Sequence, residues 1–165
     1  MKAIVYESKA GHTKKYAEIL GEKINLPVYS LKESMTSLSS GDEIIFMGWI
    51  MAGNVNGYDK AAKQFKICAL CPVGMAGKES SDKTEKDISA KYSYAPEKIF
   101  YLEGGFDINK LSGIYKFMMK SMIKMLEKKS DKTSEEAEMT AKMKNNQDCV
   151  NEDNLVKTID WYEKL

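Results

Sequence analysis

Six consecutive residues near the start of the chain could together hold a phosphate group. They are Ser8, Lys9, Ala10, Gly11, His12 and Thr13. The apolar run Ala3–Tyr6 before them predicts a strand, and the pattern over Tyr16–Leu20 predicts a helix after them. A loop of small and hydroxyl residues at a helix N-terminus presents backbone N–H groups to an anion, which the helix dipole also attracts. An ordinary capped helix start is the alternative interpretation.

The chain lacks the sequence patterns of several other common functional sites. The chain has neither Gly-x-x-x-x-Gly-Lys-Ser/Thr nor Gly-x-Gly-x-x-Gly after the first strand, which excludes the two commonest nucleotide loops. Its one histidine, His12, cannot form a metal site alone, and no Ser/His/Asp or paired-carboxylate arrangement indicates hydrolysis. Cys68 and Cys71 have the spacing C-x-x-C within a predicted strand, where they point to opposite faces. We therefore expect both to be buried core residues.

Composition limits the class of protein. The chain has 165 residues, 43% of them hydrophobic and 30% charged, which predicts a single domain over residues 1–165. The net charge of +1 argues against nucleic-acid binding. We expect no signal peptide, because Glu7 and Lys9 interrupt the early apolar run. Three cysteines favour a reducing, cytoplasmic location.

Continuous apolar runs alternate with helical patterns along the chain. Strands are predicted at Lys2–Tyr6, Pro27–Leu31, Asp42–Gly48, Lys66–Val73 and Lys98–Leu102. Helices are predicted at Gly11–Lys23, Lys32–Leu38, Tyr58–Gln64, Lys83–Tyr92 and Asn151–Leu165, and turns at Asn54–Gly57 and Gly77–Ser81. Such alternation indicates an α/β fold with a five-stranded parallel sheet in the doubly wound order 2-1-3-4-5, covered by helices on both faces. Ligands of such sheets bind beyond the carboxyl ends of the strands.

Two further loops are predicted at those carboxyl ends. The residues concerned are Trp49, Ile50, Met51, Ala52, Gly53 and Asn54 in one, and Val73, Gly74, Met75, Ala76 and Gly77 in the other. Large apolar side chains flanked by glycines could form walls for a flat aromatic ligand. Alternatively, Trp49 and Ile50 turn back into the core, and the second loop is a plain strand-to-helix turn.

The first loop resembles the phosphate loop of flavodoxins, Ser/Thr-x-Ser/Thr-Gly-x-Thr, with Ala10 at a position that often carries a hydroxyl. This resemblance implies a flavodoxin-like three-layer sandwich that binds FMN. Residues 8–13 would hold the phosphate, and residues 49–54 and 73–77 would frame the flavin ring. Met75 occupies a region where many flavodoxins have a stacking tyrosine.

About fifty residues separate the last predicted strand from the final helix, and we expect residues 103–147 to be an insertion. Within it, Lys110–Lys132 predicts a basic, methionine-rich amphipathic helix. Such a helix could lie on an anionic membrane surface or receive a partner. It could also simply pack on its own domain.

The stretch Leu102–Leu111, with Gly-Gly-x-Asp followed by the basic helix, is similar to flavodoxin-domain proteins of the menaquinone-dependent protoporphyrinogen oxidase type. This resemblance implies an FMN-dependent oxidoreductase that passes electrons from a reduced organic substrate to a quinone or other acceptor. The alternatives are a soluble electron carrier without its own substrate, and a domain that has lost flavin and serves only in interactions. Peripheral contact with the inner face of the membrane and homo-oligomerisation are further expectations. No catalytic residue is assigned.

Overall fold

The computed structural model describes residues 1–77 and 80–165, which form strands and helices in alternation. The strands are β1 (Ala3–Glu7), β2 (Val28–Ser30), β3 (Glu43–Met51), β4 (Asn54–Val55), β5 (Lys66–Gly74) and β6 (Leu102–Glu103). The helices are α1 (His12–Ile24), α2 (Leu31–Ser37), α3 (Tyr58–Gln64), α4 (Ser81–Tyr92), α5 (Gly113–Lys128), α6 (Ser134–Lys144) and α7 (Val156–Glu163). Short 3₁₀ helices lie at Pro96–Lys98 and Glu152–Leu155. The predicted turn Gly77–Ser81 contains residues 78 and 79, which lie outside the described residues.

Five strands form one parallel sheet in the order β2-β1-β3-β5-β6. This confirms the predicted α/β fold and its doubly wound order. Alternate residues of each central strand enter separate cores, because successive side chains of a strand point to opposite faces. Ile4 packs with Tyr16 and Leu20 of α1, whereas Val5 packs with Phe46 and with residues of α2, α3 and α4. The sheet is therefore the middle of three layers.

The prediction of a loop from Gly48 onward was wrong. Strand β3 continues through Met51 and pairs with the antiparallel β4, so that residues 49–55 form a hairpin. Ala52 and Gly53 make its turn with φ of 48° and 71°, the left-handed conformation that two-residue hairpin turns require. Gly48 is needed inside the strand, because a Cβ there would lie 2.6 Å from the carbonyl oxygen of Asn56.

The last strand and the final helix also depart from prediction. Pro96–Lys98 is a 3₁₀ helix, Ile99 forms an isolated bridge to Leu70, and only Leu102–Glu103 is strand. The predicted helix Asn151–Leu165 divides into a 3₁₀ turn and α7. Cys71 is buried as expected, but Cys68 is only half-buried, next to an irregularity in the pairing of β3 with β5.

The inserted segment contains α5, α6 and a small hydrophobic cluster of its own. Phe106, Leu126 and Met143 are buried there, and Met75, the residue that follows β5, packs against them. The segment joins the rest of the chain at an antiparallel bridge between Gly105 and Asp148. None of the helices in residues 1–77 and 80–165 is long and apolar enough to cross a membrane.

Candidate functional site

The carboxyl ends of three neighbouring strands meet at one edge of the sheet. Glu7 of β1 lies beside Gly48 of β3, and Trp49 of β3 lies beside Val73 of β5. The three segments that the sequence singles out therefore follow strand positions that are adjacent in space. The first segment lies over β1, at the place where the winding of the sheet reverses, which is where such sheets bind ligands.

The first loop leaves the N-terminus of α1 open to an anion. Gly11 is the N-cap with φ of 95°, and no side chain caps the helix. The only side-chain bond within the loop is donated by the Gly11 N–H to Ser8 Oγ at 3.2 Å. The first turn of α1 contains no acidic residue of its own, which suits an anion at this helix end. Thr13 is buried at the base of the loop.

Two adjoining cavities border this loop, and we call them together the lysine groove. The first has a volume of about 350 Å³ and is lined by Ser8, Lys9, Gly11 and Lys14, with Tyr6, Glu7, Ser30 and Lys32. The second, of about 310 Å³, is lined by Trp49, Asn56, Gly57, Lys60 and Tyr115, with Glu7, Lys9, Leu31 and Lys32. Each volume is within the range of sites for small molecules.

The lysine groove carries an excess of positive charge. Lys9, Lys14, Lys32 and Lys60 line it, against the single carboxylate of Glu7. Only Lys14 has an ion pair among the described residues, with Glu18 at 3.5 Å. Because like charges brought together raise the local potential, the groove favours an anionic ligand.

An aromatic pair closes the far end of the lysine groove. The ring centroids of Trp49 and Tyr115 lie 6.2 Å apart with an interplanar angle of 74°, an edge-to-face contact. The ammonium of Lys9 lies 4.5 Å from the Tyr115 centroid, within the range of a cation–π interaction. Tyr115 belongs to the first turn of α5, so the inserted segment supplies one wall of the groove.

Sequence reasoning missed Lys32, Lys60 and Tyr115. Lys32 lies in the first turn of α2, just after β2, and Lys60 lies in the first turn of α3, so mapping lysines onto the carboxyl edge of the sheet could have found both. Nothing local in the sequence indicates that Tyr115 folds back onto Trp49, because that contact depends on tertiary packing of the insertion.

The hairpin residues after Trp49 line neither cavity of the lysine groove. Ile50 packs against the core on the α2–α4 side of the sheet, one of the two alternatives open from the sequence. Met51, Ala52, Gly53 and Asn54 form the hairpin tip, where the Asn54 side-chain amide donates to the Ala52 carbonyl at 3.2 Å. Of the residues predicted in this loop, Trp49 therefore lines the groove, whereas the five residues that follow it do not.

The third segment lies against the inserted helices. Val73 and Gly74 end β5, and a Cβ on Gly74 would lie 3.0 Å from the ring of Tyr101. The Tyr101 hydroxyl donates to the Ala76 carbonyl at 2.8 Å, which fixes the backbone before Gly77. Burial raises the pKa of Tyr101, so this hydroxyl keeps its proton. Met75 contributes to the insertion cluster rather than to the groove.

His12 connects the first loop to the inserted segment. The residue is only 6% exposed, and its Nε2 lies 3.8 Å from Oδ1 of Asp148. Burial lowers the pKa of His12, with the Asp148 carboxylate opposing that shift, so the ring is neutral at pH 7. Asp148 also accepts a hydrogen bond from Lys15. Burial opposes ionisation of Asp148, but the bonds from Lys15 and the Val150 N–H lower its pKa below the usual value.

Comparison with protein-family models matches residues 3–133 to a flavodoxin domain. Comparisons with curated proteins and with solved structures find no match. The matched range begins at β1, contains the first loop and both cavities, and extends through α5.

Proposed function

The chain belongs to the flavodoxin-domain family, and we propose that it binds FMN in the lysine groove and transfers electrons through the flavin. Membership of this family indicates a flavin-dependent electron-transfer function in general terms. The observation that carries the specific proposal is a groove that starts at the uncapped N-terminus of α1 and ends at an aromatic pair.

The phosphate of FMN would occupy the α1 end of the groove. Residues 8–13 would surround it, with backbone N–H groups of the first turn of α1 donating and Ser8 Oγ within the same loop. Lys9 and Lys14 would supply positive charge on the two sides of the loop. Ala10 lacks the hydroxyl that many relatives have, and these two ammonium groups are the substitutes that the groove offers.

The flavin ring would lie toward Trp49. Tyr115 would supply an aromatic surface that the third segment lacks, because Met75 is engaged in the insertion cluster. Residues 49–54 and 73–77 stay in the proposed ring site as the family resemblance implies, and the pairing of Trp49 with Val73 supports only those two positions. Of these residues, Trp49 has the strongest support, because it lines the groove itself.

Bound FMN would supply one- and two-electron chemistry, while the protein would bind, orient and shield the flavin. We propose that electrons pass from a reduced organic substrate to a quinone or other acceptor, as the resemblance to the menaquinone-dependent protoporphyrinogen oxidase type implies. The positive groove favours an anionic donor or acceptor. We also propose a cytoplasmic location, which three free cysteines favour.

Titration of the purified protein with FMN, followed by quenching of flavin fluorescence, tests the cofactor. Ser8→Ala and Lys14→Gln should each weaken binding by about tenfold, because each removes a contact to a charged phosphate or its loop. Ser37→Ala and Lys157→Gln make the same chemical changes on exposed parts of α2 and α7 and should leave the affinity unchanged. Failure of the parent protein to bind FMN would reject the proposal and leave the interaction-only alternative.

Reoxidation of the FMN-loaded, reduced protein tests the oxidoreductase assignment. Mixing with a water-soluble naphthoquinone should reoxidise the flavin faster than dissolved oxygen does, and multiple turnovers should follow when a reductant is supplied. Flavin that exchanges electrons only with another redox protein would indicate the carrier alternative instead.

A further inference from the structure

Helix α5 exposes an apolar stripe that nothing in the described structure covers. The exposed side chains are Ile114 (70%), Phe117 (71%), Met118 (42%) and Met125 (66%). They share one side of the helix, because positions three, four and eleven residues apart recur on one face. Four of the six large hydrophobic side chains exposed in residues 1–77 and 80–165 belong to this helix. Such clustering marks an interaction surface.

The opposite side of α5 is already occupied, so the stripe is not the face that holds the helix to the protein. Leu126 is buried in the insertion cluster, with Met119, Met122 and Ile123 packed around it. Helix α5 therefore has two apolar faces, of which the protein uses one. A helix that only packed on its own domain would need only the first.

A row of lysines borders the stripe. Lys116, Lys120, Lys124 and Lys128 occur once per turn along α5. None of them has an ion pair among the described residues, and the neighbouring Glu127 is paired with Lys144 at 2.8 Å. The side of the helix next to the apolar stripe is therefore strongly positive.

We infer that α5 docks on the surface of an anionic lipid membrane, with Ile114, Phe117, Met118 and Met125 inserted at the interface and the lysines facing the headgroups. The pairing of apolar and basic faces is that of interfacial helices, which lie in the membrane plane with the apolar side shallowly buried. A second copy of this chain is a poor occupant, because an isologous contact would place the unpaired lysines of both copies at one interface, where like charges repel. The inference goes beyond the proposed function and does not depend on flavin.

Docking would bring the lysine groove close to the membrane surface. Tyr115, which lines the groove, lies between Ile114 and Phe117 in the first turn of α5. An acceptor dissolved in the lipid would then approach from the side of the groove that the insertion forms.

Co-sedimentation with lipid vesicles tests the inference, using protein without added FMN. The protein should bind vesicles of phosphatidylcholine and phosphatidylglycerol in equal parts, and not vesicles of phosphatidylcholine alone. Lys120→Gln with Lys124→Gln should lower the partition coefficient about 25-fold, because each lysine near an anionic surface contributes a factor of about five. Phe117→Ser should lower it on the order of tenfold through lost apolar burial.

Lys86→Gln with Lys157→Gln is the matched control, because these exposed lysines lie on α4 and α7 and change the net charge equally. It should retain most of the binding. Equal losses in the control and the α5 variant would show that only net charge matters, which overturns the assignment of the α5 surface. Absence of binding to both kinds of vesicle would also overturn the inference and indicate a protein partner for the stripe. Because FMN titration is scored separately, this result does not bear on the flavin.

Discussion

Replacing Gly105 by alanine should loosen the junction between the inserted segment and the first loop. A Cβ on Gly105 would lie 2.5 Å from the Gln147 carbonyl oxygen, 2.6 Å from His12 Nε2 and 2.9 Å from Asp148 Cα. Two of these three neighbours are backbone atoms, so a change of side-chain rotamer cannot relieve the overlap. The backbone segment at Gln147 and Asp148, which returns from the insertion, must move instead.

The size of that movement sets the expected loss of stability. Restoring an ordinary contact of about 3.5 Å requires a shift of about 1 Å. The bridge is held by hydrogen bonds from the Phe106 N–H to the Gln147 carbonyl at 2.9 Å and from the Cys149 N–H to the Gly104 carbonyl at 3.2 Å. Losing both should lower the free energy of unfolding by about 2 kcal/mol. Reduced freedom of the unfolded chain recovers about 0.4–1 kcal/mol, which leaves a net loss of roughly 1–1.5 kcal/mol.

Urea unfolding and NMR titration of His12 measure the two consequences of this substitution. Because His12 is the only histidine, its ring protons give one titrating signal. In Gly105→Ala its lowered pKa should move back toward the ordinary value as the ring gains access to water. Gly41→Ala is the control for the His12 titration. Its Cβ meets nothing within 4 Å, so it should lower stability only through its φ of +83° and leave the pKa of His12 unchanged. A stability loss below about 0.5 kcal/mol, with His12 titration unchanged, would refute the reasoning.

Three further predictions concern buried polar groups. Tyr16→Phe should lower the free energy of unfolding by about 2–3 kcal/mol, because the Tyr16 hydroxyl donates to the Glu103 carbonyl at 2.6 Å and accepts from the Asn154 side chain at 2.6 Å; Tyr29→Phe is the control in urea unfolding. Glu103→Gln should cost about 1–2 kcal/mol by weakening the bond to the buried Lys142 at 2.6 Å, whereas Glu138→Gln, on the exposed side of the same lysine, should change the unfolding midpoint little. The pKa of His12 is lower in the folded than in the unfolded protein, so its contribution to the free energy of unfolding is fully present above the ordinary pKa of about 6.5 and is lost as pH falls. The free energy of unfolding of His12→Gln should therefore vary less between pH 7 and pH 5 than that of the parent protein.

The sheet could be predicted because its central strands are apolar on both faces. The runs within Asp42–Gly48 and Lys66–Val73 became β3 and β5, and the helix predicted at Tyr58–Gln64 is observed with the same bounds. The hairpin was missed because Gly48 resembled the end of a strand. The glycine instead admits the close approach of Asn56, a tertiary requirement that no local pattern reveals.

The site was only partly predictable for a related reason. Local patterns indicated the loop at residues 8–13, because a strand, small residues and a helix occur in sequence there. The orientation of the His12 ring and the position of Tyr115 depend on how the insertion folds back, which periodicity does not encode. The roles of residues 49–54 and 73–77, the extent of a single domain over 1–165, and homo-oligomerisation stay predictions.

The bridge between Gly105 and Asp148 has a consequence for how this chain tolerates changes of length. The inserted segment begins and ends at backbone positions that lie next to each other, Gly105 and Asp148, so the bridge between them already holds its two ends together. The entropy of closing such a loop grows slowly with its length, by about 0.6 kcal/mol for each doubling. Lengthening or shortening the connection between α5 and α6 should therefore cost the strands beneath little stability, as long as Lys142 of α6 keeps its bond to Glu103.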